Sequence, residues 1–344
     1  MDFNIKNRSA VITYCDDYQI WNQIKDEIMR RLPLKNLLWN NPLPGRPPRT
    51  IPELNLNFIK YSQDIFPKAI PLYNITPFFL HLFLVNCDDS EMYKSVVRKQ
   101  IQEWLNVIAN KKNQEWLIVY VQGQDSKKAT TRFLGVGGSV YDKIKSDFFA
   151  KKCIIVKPFG QDNNTSESWQ ELFDRIKEGV LSSFSQQILW FEEETRKSDS
   201  QRLLPGWNYC QYFIIKEGLS FSYELMGQYD DALLQYDELY AQFFQSMTEQ
   251  GAPWFQSFGG HDKGDDCEDI LNLKRKPYRD LILQNQITIF DFRIYLFGRQ
   301  VSLLFRSAQP IEICRRAKIF ITNFCRNLHE YDVIKKKKNK KKFF

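Results

Sequence analysis

Two copies of the tripeptide Cys-Asp-Asp, Cys15-Asp16-Asp17 and Cys87-Asp88-Asp89, each follow an apolar run of strand character. Strand ends of a parallel sheet lie side by side, so Asp16, Asp17, Asp88 and Asp89 are the residues that could gather on a divalent cation. The chemistry would be metal-dependent phosphoryl transfer. The same position suits a second role. An Asp between a strand and a helix accepts hydrogen bonds from the free N–H groups of the helix start and suits its positive end.

Other groups offer less. The glycine cluster Gly135, Gly137 and Gly138 in "GVGGSV" has Val140 where a dinucleotide fingerprint wants a third Gly or Ala, and no GxxxxGK[ST] occurs. It reads as a loop leading to a helix that the Ser139 hydroxyl can cap. The histidines are His81, His261 and His329, none beside a second metal ligand or a nucleophile at a recognised spacing, and His81 sits in an apolar strand as a core histidine would. The acidic loop "HDKGDDCED" at 261–269 fails as a calcium loop because Cys267 stands at the sharp-turn glycine position; a hinge or partner-binding loop fits it better. "LPGRPP" at 43–48 offers Pro44 and Pro47 with Arg46 and Arg49, either a ligand for an SH3-type groove or a plain structured loop.

The elements that would position these residues change character midway. Apolar runs at 10–15, 56–61, 78–85, 116–122 and 153–159 read as strands, and three of them are apolar nearly throughout, so both sheet faces should be covered. Helices are expected over Tyr18–Leu32, Ser90–Asn110 and Ser139–Phe149. The stretch "NNPLPGRPPRTIP" between the first helix and second strand reads as an extended loop without regular structure, because prolines withhold donors. From Ser168 the spacing becomes helical: Trp169, Leu172, Phe173, Ile176, Val180, Phe184 and Ile188 share one face, behind a capping box Ser168–Glu171.

Pro205 and Gly206 precede a second helix, Trp207–Leu225, apolar on more than one side and therefore buried. Next come Tyr229, Ala232, Leu233, Tyr236, Leu239, Tyr240 and Phe243 on one face, with Tyr229 and Tyr236 each expected to hold the pair together. Gly227, Tyr229, Ala232, Tyr236 and Leu239 match the second helix of a tetratricopeptide-like hairpin whose first helix offers Leu219 and Tyr223. A loop over 251–277 separates this pair from a second, Ile287–Ser307 and Pro310–His329. The fold class is thus α/β followed by all-α: an open, mostly parallel sheet domain over 1–165, an irregular tetratricopeptide-like α-solenoid segment over 166–330, and a disordered Lys-rich tail over 331–344. Two pairs followed by a lysine run read as a solenoid cut short.

Charge placement narrows the function classes. Of 48 Lys and Arg, seven are Lys335–Lys338 and Lys340–Lys342, leaving 41 to face 41 Asp and Glu, so the net charge of +7 belongs to the end of the chain. The body shows no basic stripe, which argues against nucleic acid, while the lysine run allows a weak membrane-surface contact. The longest apolar run falls short of the ~18 to 20 residues of a membrane span, and the N-terminus has no signal-peptide core. Seven cysteines without a CxxC pair read as reduced thiols of a cytoplasmic protein, so the sequons at Asn7, Asn74, Asn163 and Asn164 are expected to stay unmodified.

Five blocks carry a resemblance: 77–108, "EWLIVYVQ" at 115–122, "SVYDKIKSDF" at 139–148, 204–243 from "LPGWNYC" to "YDELYAQF", and "FDFRIYLFGRQVSLL" at 290–304. Together they resemble the N-terminal region of the tenth subunits of the transport protein particle, TRAPP, large subunits specific to its TRAPP II form. The similarity runs in order from about Val11 to Asn327, and its most specific part contains Gly206, Trp207, Leu219, Tyr223, Gly227, Tyr229, Ala232, Tyr236 and Leu239. The resemblance implies a non-catalytic scaffold without cofactors. Its partners would be other TRAPP subunits, a small adaptor and the second large TRAPP II subunit, with a Rab-type GTPase served indirectly at the trans-Golgi network. Members of that family run on through more solenoid into β-sandwich domains, so this chain reads as an N-terminal portion or a shortened product.

Overall fold

The computed structural model describes residues 9–62, 78–109, 114–123, 139–158, 163–250, 253–260, 262 and 271–341. The chain divides into two compact units, 1–189 and 190–344.

In the first unit, β1 (Ala10–Cys15), β4 (Leu56–Lys60), β5 (Phe78–Val85), β6 (Trp116–Val121) and β7 (Cys153–Val156) form one all-parallel sheet in the order β4-β1-β5-β6-β7. Counting only these strands, the order is 2-1-3-4-5, with a topological switch between β1 and β5. The central strands are apolar nearly throughout because helices cover both faces. On one face Phe83, Val85, Ile118 and Tyr120 pack against Tyr93, Val97, Ile101 and Trp104. These come from a π-helical turn (Tyr93–Val97), which continues the short α2 (Ser90–Met92), and from α3 (Arg98–Ala109), and α4 (Val140–Asp147) adds Val140 and Ile144. Ser139 caps α4 in a reciprocal capping box with Asp142, as its position in the sequence suggests.

The long helix α5 (Asn163–Ser200) packs its middle turns against β5: Ser183 Oγ donates to the Phe79 carbonyl at 2.5 Å, and Gly179 faces Leu80. Helix α1 (Trp21–Arg30) stacks Trp21 on Tyr14 of β1 with ring centroids 4.3 Å apart. All seven residues of the expected α5 face are buried. The start differs, however. The helix begins at Asn163, and Ser168 lies inside it, donating to the Thr165 carbonyl and accepting from Lys157 N, so it is not the cap. Contact density also places the division within α5, at Leu189/Trp190, where composition suggested residue 165.

The proline-rich stretch is a second departure. Leu34–Trp39 (β2) and Arg49–Leu54 (β3) form an antiparallel hairpin, with the "LPGRPP" segment as its tip and Pro44, Arg46 and Pro47 exposed. Pro52 is tolerated because this is a two-stranded ribbon and the residue opposite it, Asn36, takes a left-handed φ of 52°, interrupting the ladder where proline has no N–H to give. Trp39 anchors the ribbon: its ring lies 4.5 Å from Phe184, and its Nε1 donates to Ser185 Oγ at 2.9 Å.

The second unit contains α6 (Tyr209–Leu225), α7 (Tyr229–Gln250), α8 (Tyr278–Leu283), α9 (Ile289–Arg306) and α10 (Pro310–Lys341). Helix α6 ends because Gly227 adopts φ 69°, which lets Gly227 N reach the Glu224 carbonyl and Gln228 N the Tyr223 carbonyl in a Schellman turn. Pro310 opens α10, where its missing N–H costs nothing. The expected disordered tail is corrected here: α10 continues through Lys335–Lys338 to Lys341, since lysine is a good helix former, nothing after Pro310 breaks the helix, and cations suit its C-terminal end. No helix among the described residues is long and apolar enough to cross a membrane.

Candidate functional site

The strand-end carboxylates do reach neighbouring strand ends, since β1 pairs with β5. They do not converge. Asp16 is buried and accepts from three backbone N–H groups, Tyr18 at 3.2 Å, Ile20 at 2.9 Å and Trp21 at 2.9 Å, anchoring the start of α1. Asp89 is the N-cap of α2 and accepts from Glu91 N at 2.9 Å. Asp88 accepts from the Tyr120 hydroxyl at 2.5 Å, and burial together with that carboxylate holds the phenol proton well above its ordinary range. Asp17, like Asp88 and Asp89, is exposed, and it lies in an open cleft of about 560 Å³ with Cys15, Gln100, Glu103 and Trp104. Burial, then Asp17 and Asp16, push the Cys15 thiol up to about 12, which makes it inert as a nucleophile. Among the described residues, no group of three or more His, Cys, Asp and Glu is placed to hold a metal ion.

His81 is a core residue with partners on both ring nitrogens, Thr13 Oγ1 at 2.6 Å and Gln114 Oε1 at 2.9 Å, and burial lowers its pKa. His329 is exposed. The glycines 135, 137 and 138, His261, most of the acidic loop at 261–269, Asn7 and Asn74 lie outside the described residues.

The helical pair is built differently. Leu219, Tyr223, Ala232, Tyr236 and Leu239 are all buried between α6 and α7. Ala232 is small enough for its carbonyl to accept from Ser220 Oγ across the pair at 2.9 Å. Gly206 takes φ 90° in the turn before α6, and Trp207 Nε1 donates to the Ser198 carbonyl while its ring meets Trp254 edge-on at 5.3 Å. Tyr229 departs from the expected face. It is half-buried, with the Arg306 guanidinium 5.8 Å from its ring.

The centre of this unit holds charges. Glu217 is 0% exposed and accepts from Tyr295 OH at 2.5 Å, Tyr236 OH at 3.1 Å and Arg279 Nε at 3.1 Å. Arg299 donates to Glu224 Oε2 at 2.5 Å and to Tyr236 OH at 2.9 Å, its guanidinium 4.7 Å from the Phe221 ring. Burial opposes the charge on Arg299, but Glu224 together with Tyr236, Tyr295 and Glu217 outweighs it and holds its pKa above the ordinary value. The Tyr236 and Tyr295 hydroxyls are held far above theirs, by burial first. Each carboxylate is thus spent on fixing α6 against α7, α8 and α9. A second tie joins α7 to α10 and α9: Asp237 takes a bidentate contact from Arg316 and another from Gln300 at 2.7 Å.

Motif spacing finds none of these partners, because Glu217 and Tyr295, or Glu224 and Arg299, lie more than 70 residues apart. One local signal exists. Lys216, Glu217 and Glu224 sit in a helix that is apolar on more than one side, and charge in such a helix requires pairing.

By fold the chain is an α/β unit and a run of paired helices of the solenoid kind, with Glu217, Glu224 and Arg299 of the helical unit bonded to ionisable partners. It belongs to the family described as trafficking protein particle complex subunit 10-like, N-terminal, whose model matches residues 5–202. Similarity to whole relatives extends through the helical unit as well. The mouse trafficking protein particle complex subunit 10 is 32% identical over 92% of this chain, and the Dictyostelium discoideum protein of the same name 33% over 93%. The trafficking protein particle complex II-specific subunit 130 homolog of Arabidopsis thaliana is 30% identical over 94%. The chain spans about a quarter of the length of these relatives.

Proposed function

We propose that the chain acts as a non-catalytic scaffold subunit of a TRAPP II-type tethering complex. In this reading it binds other TRAPP subunits, a small adaptor and the second large subunit, and supports guanine-nucleotide exchange on a Rab-type GTPase without touching the nucleotide. Its place would be the cytoplasmic face of the late Golgi and endosomal membranes. The observation that carries the reading is similarity in order across both units to relatives named as subunits of that complex. The geometry agrees with it: Asp16 and Asp89 anchor helix starts, Asp88 takes the Tyr120 hydroxyl, and Glu217 and Glu224 of the helical unit lock helices together.

The test is affinity purification of the tagged full chain from cytosol of the source cell, at a salt concentration that suppresses lysine-run adhesion, with mass identification of co-purifying chains. Small TRAPP subunits in stoichiometric yield are the expected result. Their absence overturns the proposal.

A further inference from the structure

Strand β2 ends at Trp39 and β3 starts at Arg49, so nine residues join them, where about 2 to 5 suffice for a hairpin. The long tip is also stiff. Four of its residues are Pro42, Pro44, Pro47 and Pro48, and Asn41 Oδ1 accepts from Leu43 N at 3.0 Å. Arg46 N donates to the Leu43 carbonyl at 3.2 Å with Gly45 at φ 74°, so Pro44 and Gly45 hold the central positions of a tight turn. That turn breaks the polyproline helix an SH3-type groove would take. Gly45 serves the backbone alone, because a Cβ on it would meet nothing within 4 Å. The base of the ribbon is fixed as well, by Trp39 on Phe184 and Ser185. The tip carries positive charge only. No Asp or Glu occurs from Asn36 to Pro52, and Lys35 stands opposite Glu53 in the ladder, which leaves Arg46 and Arg49 as the charges of the tip. Arg46 is exposed, and among the described residues nothing takes its guanidinium in a hydrogen bond or ion pair.

We infer that this tip is a preformed docking element, which inserts Arg46 and its flanking prolines into a carboxylate-lined, aromatic-floored pocket on another protein subunit. A guanidinium pairs with carboxylates as a fork and stacks on aromatic rings, and proline rings pack on the same kind of floor. The stiffness then has a use: an element ordered before binding loses little conformational freedom when it binds. An anionic bilayer fits less well, since polybasic recognition takes clusters of about 4 to 8 cations and the tip offers only Arg46 and Arg49. The inference rests on the assembly reading proposed above, to which it adds a place of contact and the chemistry of the partner.

The experiment puts photoreactive benzoylphenylalanine in place of Pro47 in the tagged full chain, irradiates it in cytosol of the source cell, and maps the adduct by mass spectrometry. Yields of co-purifying subunits are read on the chain without the probe, for the parent, Arg46→Glu and Gly45→Ala. Both variants should melt close to the parent, since the positions they change are exposed. The expected result is an adduct with one other TRAPP subunit, beside Asp or Glu residues. Arg46→Glu should lower the yield of that subunit on the order of 100-fold and Gly45→Ala about fivefold. Reversing the mapped carboxylate to Arg should restore the contact to Arg46→Glu. Subunits retrieved without an adduct, an adduct on a surface that has no carboxylates, or full yield with Arg46→Glu each overturn the inference and leave the assembly reading standing. Retrieval of no subunit by the parent overturns both.

Discussion

The two units bury their cores by different rules. Around the sheet, Phe83, Val85, Ile118 and Tyr120 meet Val97, Ile101 and Ile144, and Asp16 and Asp89 sit at strand ends where backbone N–H groups take them up. Around α6 the core contains Glu217, Glu224 and Arg299, each at or near zero exposure. An apolar core is tolerant, since hydrophobic groups of similar volume exchange at modest cost. A core with paired charges is exacting. Its ions gain little over apolar substitutes, yet losing one partner strands the other. The helical unit should therefore be the part of the molecule with one precise arrangement, which is useful in a surface that other chains must fit.

Glu224→Ala should break the contrast most sharply. Stranding Arg299 is expected to cost about 3 to 5 kcal/mol, read as faster amide exchange across α6 and α9 with β5 unchanged. The double variant Glu224→Met, Arg299→Met should recover most of that loss; failure to recover would mean that the pair itself stabilises the unit. Tyr236→Phe comes next, at about 1.5 to 3 kcal/mol, because the hydroxyl bridges Glu217 and Arg299. Tyr229→Phe, on a half-buried ring, should stay within ~0.5 kcal/mol in the same denaturation series.

Glycines sharpen the comparison further. A Cβ on Gly218 would collide with the ring of Phe191, whereas one on Gly179 would stand 2.9 Å from Leu80 Cδ1, the end of a flexible side chain. Gly218→Ala should cost about 1 to 3 kcal/mol and Gly179→Ala under ~1 kcal/mol. Equal losses in urea melts would deny that the helical unit is the less forgiving of the two.

The smallest effects are pH dependences, one in each unit. His81 has a folded pKa below its ordinary 6.5, so the unfolded chain binds the extra proton first as pH falls. The stability it contributes is present above pH 6.5 and lost on acidification through the folded value. Exchange protection in β1 and β5 should fall below pH 6.5, and His81→Gln should flatten that slope. Tyr236 and Tyr295 act at the other end, where their raised pKa values make α6 protection fall as pH rises above 10.

Local rules were enough for elements whose signal is a period. The apolar run at 10–15 is β1 residue for residue, 78–85 is β5, and the α5 face from Trp169 to Ile188 is buried throughout. They were not enough at Pro52, where propensity forbids a strand but the register opposite Asn36 permits one, nor at Ser168, whose capping pattern is overridden by a helix that starts five residues earlier. Asp16, Asp17, Asp88 and Asp89 show the same limit: residue type and spacing admit both a cation site and helix anchoring, and only the direction in which each carboxylate points distinguishes them.

By itself the sequence determined the order of the five sheet strands and of the long helices, the core face of most of them, the stop at Gly227 and the placement of excess charge at the C-terminal end. Those follow from interactions within a few residues, whose periods of two and 3.6 are written into the chain. Tertiary structure alone decided the β2–β3 hairpin, the division inside α5, the fate of the four aspartates and the pairing of Glu217 and Glu224 with residues 60 to 80 positions away. Such pairings depend on which helices come to lie together, and burial is what makes an ion accept one partner and no other.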